Sequence, residues 1–499
     1  MIIKVLENFT KDKVLVFAVK KGDDIRKHPL FIFLNDYDKK YILNFIKKND
    51  LEPNQSNLLL LPSGRELILI GEVNFDKFNH RKALILARKI VFHSKNFKKQ
   101  NLIVCFNDFK SLNYEISDED LAKILGLQFE IANFEFLNYK TENKKQVFVE
   151  EIQVWISKNL NKNLINYSLN FGKIIGEEIN QSRRLSNTPG GDMTPEILAQ
   201  AAKEASRGLK IKTKILNEKQ IKQIGMGGIL GVARGSNEKP RFIIMEYFGG
   251  KISDQPIVLV GKGVTFDTGG LNLKPSENIY EMHMDMSGGA AAIHILAALA
   301  KLKIPKNVIS LIPAVENMPS GSSYRPGDLL KTLSGKTIEV LNTDAEGRII
   351  LADALTYAQK FYNPKLIIDI ATLTGAAMVA LGQKASAIFG NNESLIYQIQ
   401  KAGEESGDFV WPLPLWEEYE SEIKGTFGDV ANTGKTRYGG AINGAMFLYQ
   451  FIKNEKNEVP WVHLDIAPKM TSIEGDFLAK GSAGPAVALL IWFIYKFLK

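Results

Sequence analysis

From about residue 240 onward the chain repeats one pattern, in which a short apolar run rich in β-branched residues is followed by a polar loop and a stretch with helical spacing. Such runs are typical of strands buried on both faces of a parallel sheet. The predicted strands cover residues 255–263, 307–315, 337–342 and 366–372, and predicted helices between them cover 288–302 and 347–361. The pattern therefore predicts an α/β fold with a mixed, mainly parallel sheet flanked by helices.

The first part of the chain is organised differently and predicts a separate domain. Residues 1–165 mix shorter apolar runs with charged stretches, which suggests a small N-terminal α/β domain used for assembly or regulation. Its predicted strands are 13–19, 66–72 and 101–107, and its predicted helix is 78–94. Residues 166–190 are expected to form a connecting helix, and residues 191–499 the larger catalytic domain, in which Thr194 caps the first helix.

Amino-acid composition and charge limit the cellular location and the kinds of partner that the sequence predicts. Cys105 is the single cysteine, so an internal disulfide is impossible, and a cytoplasmic location fits. The net charge of +8 is spread along 499 residues, which favours solvated faces over a nucleic-acid surface. The charged N-terminus does not resemble a signal peptide. The apolar run from Ala486 stops at Lys496, short of the roughly 20 residues that a membrane span needs, so a buried last helix is expected.

Charged residues follow the predicted strands at the sheet edge where sites of open α/β folds gather. They are Lys262, Asp267, Lys274, Asp285, Asp344, Glu346 and Arg348. Taken singly, each is more commonly a turn, cap or solvated residue, and Asp285 in particular could cap the following helix. Carboxylates that converge at one edge would repel unless cations neutralised them. The lysines and the arginine could do part of this, and divalent metals, which accept oxygen ligands, would do it better.

The octet "LNTDAEGR" (341–348) places Asp344, Glu346 and Arg348 two residues apart. If the preceding strand continues, the three side chains share one face. Two carboxylates could then hold a metal with a guanidinium just behind them. The nearby stretch "LSGKT" (333–337) lacks the first glycine of a phosphate loop and is expected to form a tight turn between strands.

At this point the chain resembles a known family. The segments "NTDAEGRIILADAL" (342–355), "VGKGVTFDTGGLNLKP" (260–275), "MHMDMSGGAAA" (282–292) and "WVHLDIA" (461–467) are similar to motifs of the leucyl aminopeptidases, the M17 cytosol aminopeptidases. The resemblance runs from about "RRLSNTP" to the C-terminus, and residues 1–165 carry little of it.

The resemblance implies two divalent ions per chain, Mn or Zn. By the family pattern Asp267 and Glu346 bridge both ions. Lys262 and Asp285 complete the tighter site, and Asp344 completes the more exchangeable one. The implied catalytic residues are Lys274 and Arg348, with a bicarbonate ion held by Arg348. The implied substrate-binding residues are Asn342, Thr372, Leu373 and Gly375.

The implied function is that of a leucyl aminopeptidase, a metal-dependent exopeptidase that releases N-terminal residues, Leu-like ones preferred, from peptides with a free N-terminus. A homohexamer in the cytoplasm without membrane contact is expected. One alternative adds a DNA-binding accessory role, which the charge permits without supporting. Another alternative is a dinuclear phosphoesterase. The implied lysine ligand and the implied arginine–bicarbonate pair argue against it.

Overall fold

The computed structural model describes residues 1–10, 12–22, 24–49, 51–72, 77–110, 114–142, 146–453 and 458–498. The chain forms two compact units. The first unit comprises Met1–Glu177 and Ile473–Ala479, and the second comprises Glu178–Ser472 and Lys480–Lys499. The boundary between residues 177 and 178 falls inside one long helix, Lys162–Asn187.

The first unit is an α/β layer structure. Its strands are β1 (Ile2–Val5), β2 (Val14–Lys20), β3 (Ser56–Leu60), β4 (Glu66–Glu72), β5 (Asn101–Cys105) and β6 (Glu151–Trp155). Its helices are α1 (Asp36–Lys48), α2 (His80–Asn96), α3 (Asp118–Ala132) and the start of α4 (Lys162–Asn187). The strand order is β1-β6-β5-β2-β4-β3, parallel except for the β3–β4 pair.

The sheet of the first unit is buried on both faces, as its continuous apolar strands predict. Along β2, Val14 and Val16 join one apolar cluster, whereas Leu15 and Phe17 join another on the opposite face. The predicted strand over 101–107 is shorter than expected, because a 3₁₀ helix begins at Phe106.

The second unit contains the remaining elements. Its strands are β7 (Ile211–Leu216), β8 (Arg241–Phe248), β9 (Ile257–Gly261), β10 (Gly263–Asp267), β11 (Asn307–Asn317), β12 (Leu329–Lys331), β13 (Thr337–Glu339), β14 (Leu366–Ala371), β15 (Ser386–Gly390), β16 (Val410–Pro412), β17 (Val430–Ala431) and β18 (Trp461–Asp465). After α4 its helices are α5 (Pro195–Ser206), α6 (Glu218–Ile224), α7 (Gly227–Ala233), α8 (Ser276–Ile279), α9 (Ser287–Lys301), α10 (Glu346–Tyr362), α11 (Gly375–Leu381), α12 (Glu393–Ser406), α13 (Gly440–Tyr449) and α14 (Val487–Lys496).

The large sheet of the second unit has the order β16-β15-β18-β14-β9-β11-β8-β7, and β10 also pairs with β11. Its central pairs β18–β14, β14–β9 and β9–β11 are parallel, while β15–β18, β11–β8 and β8–β7 are antiparallel. The prediction of a mixed, mainly parallel sheet flanked by helices is therefore confirmed. A small sheet, β12-β13-β17, lies off this path, and "LSGKT" makes the tight turn between its strands β12 and β13.

Helix ends and burial follow the sequence closely. The Thr194 hydroxyl accepts a hydrogen bond from the Ile197 amide at 3.3 Å and caps α5, as predicted. The last helix, α14, is buried from Val487 to Ile494 and packs against α9 and α12. Among the helices that the structure describes, none combines the length and the hydropathy that crossing a bilayer requires.

The prediction of a continuous strand over 337–342 is wrong for residues 340–342. The strand β13 ends at Glu339, and Glu346 already begins α10. The physical reason is the short partner, since β17 consists of Val430–Ala431 and pairs only with Ile338 and Glu339. Asp344, Glu346 and Arg348 therefore share no strand face, and a turn followed by the first turn of a helix presents them instead.

Helix α10 is anchored by a buried carboxylate. Asp353, which is fully buried, accepts hydrogen bonds from the amides of Ile229 at 3.0 Å and Leu333 at 2.7 Å. It thereby joins α10 to the start of α7 and to the turn between β12 and β13. Because α10 begins with Glu346, this anchor also fixes the helix end at which the charged residues gather.

We expect Asp353→Ala to lower the unfolding free energy of the second unit by about 2–6 kcal/mol, because the amides of Ile229 and Leu333 lose their acceptor at roughly 1–3 kcal/mol each. Urea unfolding measures the change. Asp254→Ala, at an exposed position, is the control and should stay within about 0.5 kcal/mol of wild type. Equal stability of the two variants would contradict the anchoring role.

Candidate active site

The predicted site residues lie at one edge of the large sheet. Lys262 directly follows β9, Asp267 ends β10, and Thr372 directly follows β14. Asp285 follows a 3₁₀ helix, Met282–Met284, and Glu346 is the first residue of α10. The carboxyl ends of parallel strands and the start of a helix thus bring together residues that are far apart in sequence.

The centre of the site is a cluster of buried carboxylates. Asp267, Asp285 and Glu346 each contribute an oxygen, and these atoms lie within 4.8 Å of one another. All three residues are at most 4% exposed. Like charges at this separation, removed from water, repel strongly unless cations lie among them.

Lys262 supplies one of those cations. Its ammonium nitrogen lies 2.7 Å from Asp285 Oδ2 and 2.9 Å from Glu346 Oε1, and it donates a hydrogen bond to the Thr372 carbonyl at 2.9 Å. Its approach depends on Gly347, where a Cβ atom would lie 2.7 Å from Lys262 Nζ. The glycine of "AEGR" therefore leaves the space that this lysine occupies.

Lys274 supplies the second cation from a different loop. Its ammonium nitrogen lies 2.8 Å from Asp267 Oδ2 and also pairs with Asp344 Oδ1. The Lys274 side chain is 14% exposed and that of Asp344 is 34% exposed, so this half of the site faces solvent more than the half around Lys262.

The charges determine the protonation of the cluster. Burial raises the pKa of Asp267 to about 7 and raises that of Asp285 well above its ordinary value, and the charge of Glu346 adds to both shifts. Burial would also lower the pKa of Lys262 and Lys274, but the surrounding carboxylates outweigh it and raise both. For Glu346 burial favours the neutral acid, yet the two lysines hold its pKa below the ordinary value. The carboxylates thus favour the ammonium form of both lysines, and the lysines in turn offset part of the negative charge of the acids.

The donor set fits divalent metal ions. Asp285 Oδ2, Glu346 Oε1 and Asp344 Oδ1 are buried, and the ammonium groups of Lys262 and Lys274 lie against them. Each of these carboxylate oxygens has two lone pairs, so it can contact a lysine and still offer a lone pair to another cation. Buried carboxylate oxygens with unused lone pairs, clustered at this separation, suit a hard or borderline cation. Asp285 also does not cap α9, whose cap position is Met286, so this alternative is wrong.

Arg348 lies in the first turn of α10 and is buried. Its Nη1 donates to the Asn432 carbonyl at 2.9 Å, while its Nε is buried without an acceptor among the residues that the structure describes. Burial lowers the pKa of Arg348 to about 10, and Glu346 and Asp465 oppose that shift. A guanidinium with an unused buried donor is suited to bind a small planar anion.

The predicted substrate residues occupy two loops at the same edge. The Thr372 hydroxyl donates to Asp285 Oδ1 at 2.6 Å, and the Leu373 amide donates to Asp465 at 3.1 Å. Gly375 is exposed at the start of α11. The Asn342 side chain accepts the Asp344 amide at 2.8 Å and so shapes the loop that carries this acid. Contact of these residues with substrate stays a prediction.

Sequence reasoning missed several polar residues of the site. Asn317, the last residue of β11, donates to Asp267 Oδ1 at 2.8 Å. Asp465, the last residue of β18, accepts the Thr374 hydroxyl at 2.6 Å, and Asn432 directly follows β17. Each sits at the carboxyl end of a strand, so the rule that found the acids would also have found these residues.

A second group of potential ligands, His28, Cys105 and Asp108, lies in the first unit. The Leu30 amide donates to His28 Nδ1 at 3.2 Å, so Nε2 carries the ring proton and donates to Asp108 at 2.9 Å. Burial raises the pKa of Cys105 well above that of a free thiol. The Nδ1 lone pair of His28 is already used by the Leu30 amide, and burial disfavours the thiolate of Cys105. This group is therefore a hydrogen-bonded part of the fold rather than a metal site.

Comparisons with known proteins agree with the geometry. Residues 180–491 match the model of the cytosol aminopeptidase family, catalytic domain. The chain is 36% identical to a probable cytosol aminopeptidase of Nitrosomonas europaea, with 92% of each chain covered. It is 37% identical to a probable cytosol aminopeptidase of Methylobacillus flagellatus, with 98% of this chain and 97% of the relative covered.

Solved structures show the same architecture. The bottromycin maturation enzyme BotP in complex with Mn superposes with a TM-score of 0.83 at 26% identity, covering 97% of this chain and 99% of that one. Another structure of BotP gives a TM-score of 0.81 at 27% identity, with 97% and 98% covered. The similarity therefore extends over both units of the chain.

We expect Gly347→Ala to weaken both stability and metal binding. Alanine is favoured over glycine in a helix by about 0.5–1 kcal/mol, but loss of the buried Lys262 contacts to Asp285 and Glu346 costs more, so the melting temperature should fall. The new methyl group displaces the flexible Lys262 side chain, so Mn²⁺ affinity should drop at least about 10-fold. Gly321→Ala, where a Cβ meets nothing within 4 Å, is the control. Calorimetric titration that gave wild-type affinity for Gly347→Ala would contradict the role of this glycine.

Proposed function

Because the chain belongs to the cytosol aminopeptidase family of metal-dependent exopeptidases, we propose that it releases N-terminal residues from peptides at a centre of two divalent ions. The observation that carries the proposal is the buried carboxylate cluster interleaved with Lys262 and Lys274. A peptide with a free amino terminus is the proposed substrate, and family membership favours it over a phosphate ester.

We assign the metal-binding roles to the cluster itself. Asp267 and Glu346 would lie between the ions. Lys262 and Asp285 would complete the tighter site, and Asp344 the more exchangeable one, in line with its greater exposure. Mn²⁺ or Zn²⁺ is proposed, and the Mn complex of BotP supports the former. When bound, such ions supply Lewis acidity to the scissile carbonyl and acidify a water molecule.

The remaining side chains would handle charge and protons. Lys262 could ligate a metal ion only as the neutral amine, so its ammonium proton would have to leave first. Lys274, at the exposed side of the cluster, would donate a hydrogen bond to the developing oxyanion of the substrate. Arg348, through the Nε that finds no acceptor among the described residues, would hold a bicarbonate ion that accepts a proton from water.

A preference for Leu-like residues is supported by exposed apolar side chains in the loops that carry the site. Leu273 precedes Lys274 and is 59% exposed, and Leu341 precedes Asn342 and is 43% exposed. Apolar surface beside a polar centre can accept an aliphatic side chain by the hydrophobic effect. Thr372, Leu373 and Gly375 would also contact the substrate.

A homohexamer in the cytoplasm completes the proposal. Trp416, Phe427 and Tyr438 of the second unit are 62%, 81% and 71% exposed. Large exposed aromatic side chains are typical of association surfaces. The cytoplasmic location rests on the names of the relatives.

Removing a central carboxylate should abolish turnover. We expect Glu346→Gln and Asp267→Asn each to lower cleavage of leucyl-amide substrates at least about 100-fold, because each removes charge that holds the metal centre. Glu238→Gln, an exposed position, is the control and should keep wild-type turnover. Circular dichroism checks folding. Substantial activity in folded Glu346→Gln would contradict its place between the ions.

A substitution at Lys274 should distinguish a role in catalysis from a role in metal binding. We expect Lys274→Ala to lower turnover about 100-fold because the developing oxyanion loses its donor, while the Mn²⁺ content stays at two ions per chain. Elemental analysis after chelation and readdition of Mn²⁺ measures the content. If the variant instead lost metal in proportion to activity, Lys274 would be a ligand.

A further inference from the structure

Asn432 is a buried residue to which the proposed chemistry gives no role. It directly follows β17, which pairs in parallel with β13 in the small sheet. Its amide donates to the Glu339 carbonyl at 3.0 Å, and the residue is 0% exposed. This bond is the last main-chain bond between the two segments before β13 gives way to the turn that carries Asp344.

The side-chain amide of Asn432 forms hydrogen bonds to that turn through both its oxygen and its nitrogen. Its Oδ1 accepts the amides of Leu341 at 2.7 Å and Asn342 at 3.3 Å. Its Nδ2 donates to the carbonyls of Asn342 at 2.6 Å and Ala345 at 3.4 Å. One side chain thus replaces the strand partner that residues 341–345 lack.

The main chain of Asn432 contacts the other half of the site. Its carbonyl accepts the hydrogen bond from Arg348 Nη1 at 2.9 Å. The position of the Arg348 guanidinium and the position of the loop that bears Asp344 therefore depend on the same buried residue.

Only a primary amide of this length meets the demands of the position. It must accept from two amides and donate to two carbonyls. Aspartate has the same shape but cannot donate to Asn342 or Ala345, and it would add a like charge near Asp344 and Glu346. The chemistry therefore specifies asparagine.

We propose that Asn432 is a positioning residue, which fixes the Leu341–Ala345 loop and Arg348 so that Asp344 is held ready for the more exchangeable metal ion. The role rests on the proposed function and predicts a selective defect. Because Lys262 and Asp285 lie on other elements, the tighter site should survive the loss of Asn432.

The test compares Asn432→Asp with a matched variant, Asn391→Asp. Asn391 makes the same kind of clamp, since its Nδ2 donates to the Val459 carbonyl at 3.0 Å and its Oδ1 accepts the Trp461 amide at 2.7 Å. It acts at the start of β18, whereas the site residue Asp465 ends that strand. Mn²⁺ titration by calorimetry and steady-state cleavage of leucyl amide are measured on both full-length variants and on wild type.

For Asn432→Asp we expect one Mn²⁺ ion to bind as in wild type and the second at least about 10-fold more weakly, with kcat reduced about 10–100-fold and KM within about 3-fold. Asn391→Asp should match wild type in both titration steps and in kcat. Asn432→Ser, which is uncharged and smaller, should show the same selective loss and serves if the aspartate variant does not fold.

Wild-type Mn²⁺ steps and turnover in a folded Asn432 variant would overturn the role. Equal weakening of both Mn²⁺ steps would overturn it as well, because it would reveal general damage. If the proposed function is wrong, the wild-type protein itself will not bind Mn²⁺. That result would also rule out the positioning role of Asn432.

Discussion

The second unit depends on the neutralisation of acidic groups that are buried together. Asp267, Asp285 and Glu346 lie within a few ångströms of one another and away from water, an arrangement that is unfavourable unless cations are present. In this structure Lys262 and Lys274 are the cations. The same oxygens have lone pairs that the lysines leave unused, and this is why the cluster is suited to exchange part of its ammonium charge for metal.

Helix α10 links stability to chemistry. Its first turn presents Glu346 and Arg348, Gly347 leaves room for Lys262, and Asp353 further along ties the helix to the start of α7. Because these residues share one rigid element, their relative positions are fixed by the helix geometry rather than by a flexible loop. The sheet delivers Lys262 and Asp267 at the carboxyl ends of its strands, whereas Lys274, Asp285 and Asp344 come from the loops at that edge.

Much of this could be predicted from the sequence. Buried parallel strands give continuous apolar runs, so the architecture was recognisable, and polar residues such as Lys262 after those runs marked the site. The prediction that Asp344 and Glu346 share a strand face is wrong, because β13 ends where its two-residue partner β17 ends. That length is set by a strand about 90 residues away, and the hydrogen bonds of Asn432 are equally long-range. Local spacing carries no information on either.

The most direct measurement is anomalous diffraction at the manganese edge from crystals of the protein soaked in MnCl₂. We expect two peaks, one bordered by Lys262 and Asp285 and one by Asp344, with Asp267 and Glu346 between them and Lys274 no longer paired with Asp344. Crystals that showed no anomalous peak, with both lysines still paired to their carboxylates, would contradict a metal centre at this cluster.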